Sequence, residues 1–175
     1  MRWIDFFSHL EHDFALDAQP PRESSQRTST VDKDLLDVCA RAKASGRHVA
    51  VGVVTGEVFH VSPRAVSREW FSGLVGGEHG SGVVIPAGAV VWVESDSITF
   101  PDKPAGLVSA TLADVLTDIA RRRALVTIRT AHGDAVGTIE GVGKGFCDLV
   151  APAGMTRRFP VSAIVAIFQG TVTWG

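Results

Sequence analysis

The chain has 175 residues, is 45% hydrophobic and carries a formal net charge of −2. That is enough apolar material for a sizeable core, in one domain or two small ones. It leaves no strongly basic whole-chain footprint of the kind that marks nucleic-acid binding. No apolar run reaches the roughly 18 residues that a membrane-spanning helix needs, so no membrane association is expected.

The first segment sets Trp3, Phe6, Phe7, Leu10, Phe14 and Leu16 among acids and histidines. This spacing predicts an amphipathic helix with an aromatic stripe. Asp5 comes too early for a secretory leader. Pro20 and Pro21 end the helix, and the polar run from Arg22 to Thr30 reads as a linker. A second helix follows, capped by Thr30 or Asp32, with Leu35, Leu36, Val38, Cys39 and Ala42 as its stripe and Ser45-Gly46 as its stop.

From Arg47 the period becomes that of strands. Val49, Val51 and Val53 alternate, and Val58 to Val61 follows a Thr55-Gly56 turn. Trp70-Phe71, Leu74-Val75, Val83 to Ile85 and Val90 to Val93 come next, separated by glycine-rich turns. Pro101 to Gly106 is a connector. A third helix runs from about Thr111 to Arg122, and strand-like segments resume from Val126 to Phe168. Cys39 and Cys147 both fall on apolar-periodic stretches and read as buried reduced thiols of a cytoplasmic protein.

The two halves repeat. At a shift of 77, Leu35 meets Leu112, Val38 meets Val115, Val49 meets Val126 and Gly56 meets Gly133. At 75, Phe71 meets Phe146, Leu74 meets Leu149 and Val75 meets Val150. At 74, Pro86 meets Pro160, Val90 meets Ile164 and Val93 meets Ile167. The shift changes only in predicted loops, where insertions are tolerated. The expected fold is mainly β with helices (α+β): two tandem small antiparallel barrels, each preceded by a helix, plus the N-terminal helix. The expected boundaries are 1–31, 32–100 and 101–175.

The run Val126-x-Ile128, Gly133-Asp134, Gly137-Thr138-Ile139, Phe146-x-Asp148-Leu149, followed by Phe159 to Ile167, resembles the two motifs of the Sm-like fold. Tandem chains of this shape are also similar to uncharacterised proteins of high-GC Gram-positive bacteria. The resemblance covers roughly Leu35 to Gly170 and implies small barrels whose open edges pair between copies. It departs at the positions that bind RNA. The family's Arg-Gly pair is replaced by Phe159-Pro160 and, in the first copy, by Ile85-Pro86. Gly73 stands where the second copy has Asp148, so only Asp148 survives from the uridine pocket.

Residues 121–175 hold seven Lys/Arg and three acids, against ten and sixteen in the rest of the chain. Arg129, Lys144, Arg157 and Arg158 are therefore candidate phosphate contacts. The alternative is that these charges are solvated surface and that Arg121 to Arg123 complement a helix dipole. Trp3, Phe6, Phe7 and Phe14 are candidate partner-binding residues, unless the helix packs on its own barrels. Gly141 to Phe146 lacks the Gly-Lys-Ser/Thr ending and following helix of a phosphate loop. His9 and His12 share a helix face, but no third ligand stands at metal spacing. No histidine has a visible orienting partner, and no serine sits in a nucleophile elbow. No enzyme activity, cofactor or metal is expected. The expected role is a non-catalytic interaction or assembly protein that self-associates through barrel edges or the N-terminal helix, as a homo-oligomer or with a protein partner. RNA or single-stranded nucleic-acid binding through the basic second barrel is the alternative.

Overall fold

The computed structural model describes residues 35–77, 80–95 and 106–171. The N-terminal aromatic segment, with Trp3, Phe6, Phe7 and Phe14, lies outside the described residues, as do His9 and His12.

Helix α1 spans Leu35–Ala44 and buries Leu36, Cys39, Ala40 and Ala42, the stripe that a 3.6-residue period dictates. Asp37 in its first turn and Arg41 and Lys43 in its last complement the helix dipole. Gly46, at φ 65, reverses the chain, and the Arg47 N–H donates to the Ala42 carbonyl at 2.9 Å. Helix α2 spans Leu112–Arg121 and buries Leu112, Val115, Leu116 and Ile119. Thr111 and Asp114 form a reciprocal capping box that satisfies two of its orphan N–H groups.

Ten strands follow the two helices in equivalent order. They are β1 (Val49–Val53), β2 (Val58–Val66), β3 (Trp70–Val75), β4 (Ser81–Pro86) and β5 (Val90–Glu94) after α1. After α2 come β6 (Leu125–Thr130), β7 (Gly133–Gly143), β8 (Phe146–Val150), β9 (Thr156–Pro160) and β10 (Ile164–Gln169). All pair antiparallel, in the order β5-β1-β2-β3-β4-β10-β6-β7-β8-β9. The strands thus form one continuous ten-stranded sheet, not two separately closed sets. The physical reason is that β4 takes its second partner from β10 of the other half and not from β5 of its own.

Register shows how the halves correspond. Gly52 pairs with Trp92 and Val53 with Val90, leaving Val91 as a bulge. In the second half Arg129 pairs with Ala166 and Thr130 with Ile164, leaving Val165 as the same bulge. Arg64 and Glu140 are likewise the skipped residues between β2 and β3 and between β7 and β8. Pro86 and Pro160 each precede a 3-10 turn. The N–H after each donates across the half, Ala87 to the Glu69 carbonyl at 2.7 Å and Val161 to the Gly145 carbonyl at 2.9 Å.

These pairs correct one block of the sequence alignment. Gly52 faces Val58 whereas Arg129 faces Asp134, so the second hairpin is one residue shorter. Phe71 accordingly corresponds to Cys147, not Phe146, and Gly73 to Leu149. A one-residue slip turns every side chain to the opposite face, and the observed match puts core on core, since Phe71 and Cys147 are both fully buried.

Each half packs its helix on its own strands, but the two cores exchange residues. Ala65, Trp70 and Val84 of the first half lie in the core built around α2. Val165, Ala166 and Phe168 of β10 lie in the core built around α1. The Trp70 indole N–H and the Ser67 hydroxyl both donate to the Ala110 carbonyl, at 2.9 and 2.8 Å. The Leu112 N–H donates to Glu69 Oε2 at 3.0 Å, so a first-half side chain helps cap the second helix. Truncating Trp70 to alanine is expected to cost about 3–5 kcal/mol. Because this side chain serves the other half's core, urea unfolding of the variant followed by circular dichroism should remain one transition, shifted as a whole.

Candidate functional site

The four basic candidates do not form one patch. Arg129, on β6, is buried at the junction of the halves with its side chain 8% exposed. Its Nε and Nη2 donate to both oxygens of Asp134, at 2.8 and 2.6 Å, and its Nη1 donates to Glu57 Oε1 at 2.6 Å. Glu57 is steadied by the Thr55 hydroxyl, which donates to its other oxygen at 3.0 Å. The guanidinium also lies 5.5 Å from the Phe168 ring centroid. The Asp134 hydrogen bond raises the Arg129 pKa against the opposing effect of burial, so the group stays charged. The guanidinium thus holds Asp134 of its own half through two bonds and Glu57 of the other half through one, with all three donor nitrogens engaged.

Arg158 donates through Nε and Nη2 to both oxygens of Asp148, at 2.8 and 2.9 Å, and its guanidinium lies 4.1 Å over the Phe146 ring. The Arg158 hydrogen bond holds the Asp148 carboxyl below the usual carboxylate range. The one residue that matched the uridine pocket is therefore already engaged. Arg157 is exposed and, by strand alternation, points to the other face of β9 from Arg158. Lys144 is exposed on the β7–β8 turn.

Chemistry of other kinds finds little to build on among the described residues. His48 Nδ1 and Ser62 Oγ share a 2.7 Å hydrogen bond at the surface, with no carboxylate bonded to the imidazole. Cys39 and Cys147 are buried thiols, and burial pushes the Cys147 pKa up to about 11, away from thiolate chemistry. Among the described residues no group of three or more His, Cys, Asp and Glu side chains converges. No helix among the described residues is long and apolar enough to cross a membrane.

What the fold does present is two strand edges. Among the described residues β5 bonds only to β1, and β9 only to β8. A strand edge carries a row of backbone donors and acceptors and is a template for another strand. The β5 edge is apolar: Val91 is 57% and Trp92 is 40% exposed. Their counterparts on β10, Val165 and Ala166, are 3% and 0% exposed and lie in the core built around α1. Trp92 also replaces bulk lost from β1. A Cβ on Gly52 would lie 2.2 Å from the Trp92 indole, so the ring lies directly on the glycine backbone. Where the second half has Arg129 beside a small Ala166, the first half has Gly52 beside a large Trp92.

Open edges are expected from the sequence, but not which strands form them, although the repeat holds a signal. Between the matched pairs Val90–Ile164 and Val93–Ile167, the bulky Trp92 stands against the small Ala166. No protein-family model matches the chain, and no curated protein matches it. Replacing Arg129 with methionine leaves Glu57 and Asp134 without their shared cation. Because both carboxylates reach water, the expected loss is about 2–3 kcal/mol, below the ~3–5 kcal/mol of a fully buried broken pair. Urea denaturation measures it, and the loss should shrink when Glu57→Gln and Asp134→Asn are already in place.

Proposed function

We propose that this chain is a non-catalytic assembly protein of the Sm-like type, which self-associates edge to edge, with β9 of one copy against β5 of the next. The observation that carries the reading is the exposure of Val91 and Trp92 at positions whose counterparts are buried on β10, the strand that pairs with β4. Within one chain the second half docks on the first through a β4-type edge and a β10-type edge. The remaining two edges are of the same two types, and nothing within the described residues pairs with them. A second copy is the occupant that supplies both.

Several features support the finer reading of each half as a small Sm-like barrel. Each has a helix followed by five strands, with bulges at corresponding places that bend the sheet. The first and fifth strands pair in both. Such pairing is head-to-tail, so the assembly closes into a ring if the rotation per chain permits and otherwise extends. The buried thiols suit a reducing compartment, and the cytoplasm is the proposed location.

Replacing Trp92 with glutamate puts a charge at the centre of the proposed contact, while the side chain stays partly solvated in the single chain. Sedimentation across a concentration series should show the unaltered protein as a multiple of one chain and Trp92→Glu as a single chain, with an unchanged circular dichroism spectrum. Truncating a central aromatic typically weakens association about 30-fold or more. A protein that sediments as one chain at every concentration, or a variant that associates as before, contradicts the reading.

A further inference from the structure

The internal junction specifies more than which edges meet, because it also has a register. There Ile167 faces Val84 and Phe168 faces Val83. The matching bulges place Val93 and Glu94 of β5 at the positions of Ile167 and Phe168. The matching proline turns and β3–β4 registers place Arg157 and Arg158 of β9 at the positions of Val83 and Val84. Transferred to the two outer edges, the register sets Glu94 opposite Arg157 and Val93 opposite Arg158.

Resting on the edge-to-edge reading above, we infer that Glu94 and Arg157 form a cross-strand ion pair between copies, and that this pair selects which edges mate. Both residues are exposed, and neither makes an ion pair among the described residues. Arg157 lies on the face of β9 that also carries Phe159, which packs against the second core. Val83, its counterpart, lines the first core beside Phe168. An apolar pair at the inner junction is thus replaced by a charged pair at the outer one.

The replacement discriminates. Pairing β5 with β4 would bring Glu94 against Val83, and pairing β10 with β9 would bring Arg157 against Phe168. Either would strip water from a charge and return no partner, which penalises exchange between inner and outer junctions. The Arg129–Glu57 tie adds to this at the inner junction, where the outer one has Gly52.

The test is a charge swap on the full chain, read as a dissociation constant by sedimentation at low and high salt. Glu94→Arg and Arg157→Glu should each weaken self-association about tenfold or more. The double variant should return to within about threefold of the unaltered protein, and the unaltered protein should weaken with added sodium chloride. Glu94→Gln, which changes charge but little else, should fall between. Singles that associate normally, or a double variant no better than either single, overturn this register while leaving edge-to-edge assembly standing. Absence of any association in the unaltered protein overturns both. Circular dichroism of each variant separates lost pairing from lost folding.

Discussion

The pairing of β4 with β10 is the constraint on which the rest of the structure depends. Backbone N–H and C=O groups must find partners wherever water is excluded. The fourth strand of the first half meets that requirement with the last strand of the second. Once this junction forms, β10 cannot serve as an outer edge and β4 cannot close on β5. Among the described residues a single ten-stranded sheet follows, and its ends are β5 and β9.

The same junction explains why side chains cross between cores. Phe168 reaches Phe59 with ring centroids 5.6 Å apart, edge to face. Trp70 and Val84 pass the other way into the core around α2. Arg129 spans the junction at its rim, where its carboxylate partners retain contact with water. The connector is sewn to the first half by the Val108 N–H, which donates to the Val66 carbonyl at 2.8 Å. Each core takes in side chains from the other half, so the halves stabilise one another. The outer edges retain the character of an unfilled junction, with valine and tryptophan on one and arginines on the other.

Much of this was legible in the sequence, and the reasons for the rest are physical. Helical periodicity marked both helices, and their observed ends, Leu35–Ala44 and Leu112–Arg121, stand at the shift of 77 read from the residues. The closing strands also matched, because Pro86 and Pro160 punctuate the chain before each of them. The middle strands were matched one residue out. Two phenylalanines, Phe71 and Phe146, attracted the alignment, and similarity of residue type cannot locate a one-residue deletion in a hairpin turn. Arg129 read as a surface base because no local pattern reveals a partner 72 positions away. The joining of the two strand sets into one sheet was not legible, because strand periodicity says which face is buried, not which edge meets which.

Hydrogen exchange at two protein concentrations bears most directly on the central claim, that the outer edges are the sites of assembly. At high concentration the amides of Val90–Glu94 and of β9 from Thr156 to Phe159 should become protected. On dilution they should exchange rapidly, while β4 and β10 stay protected throughout. Association that leaves both outer edges exchanging at their dilute rates would contradict the account, as would exchange at these edges that never depends on concentration.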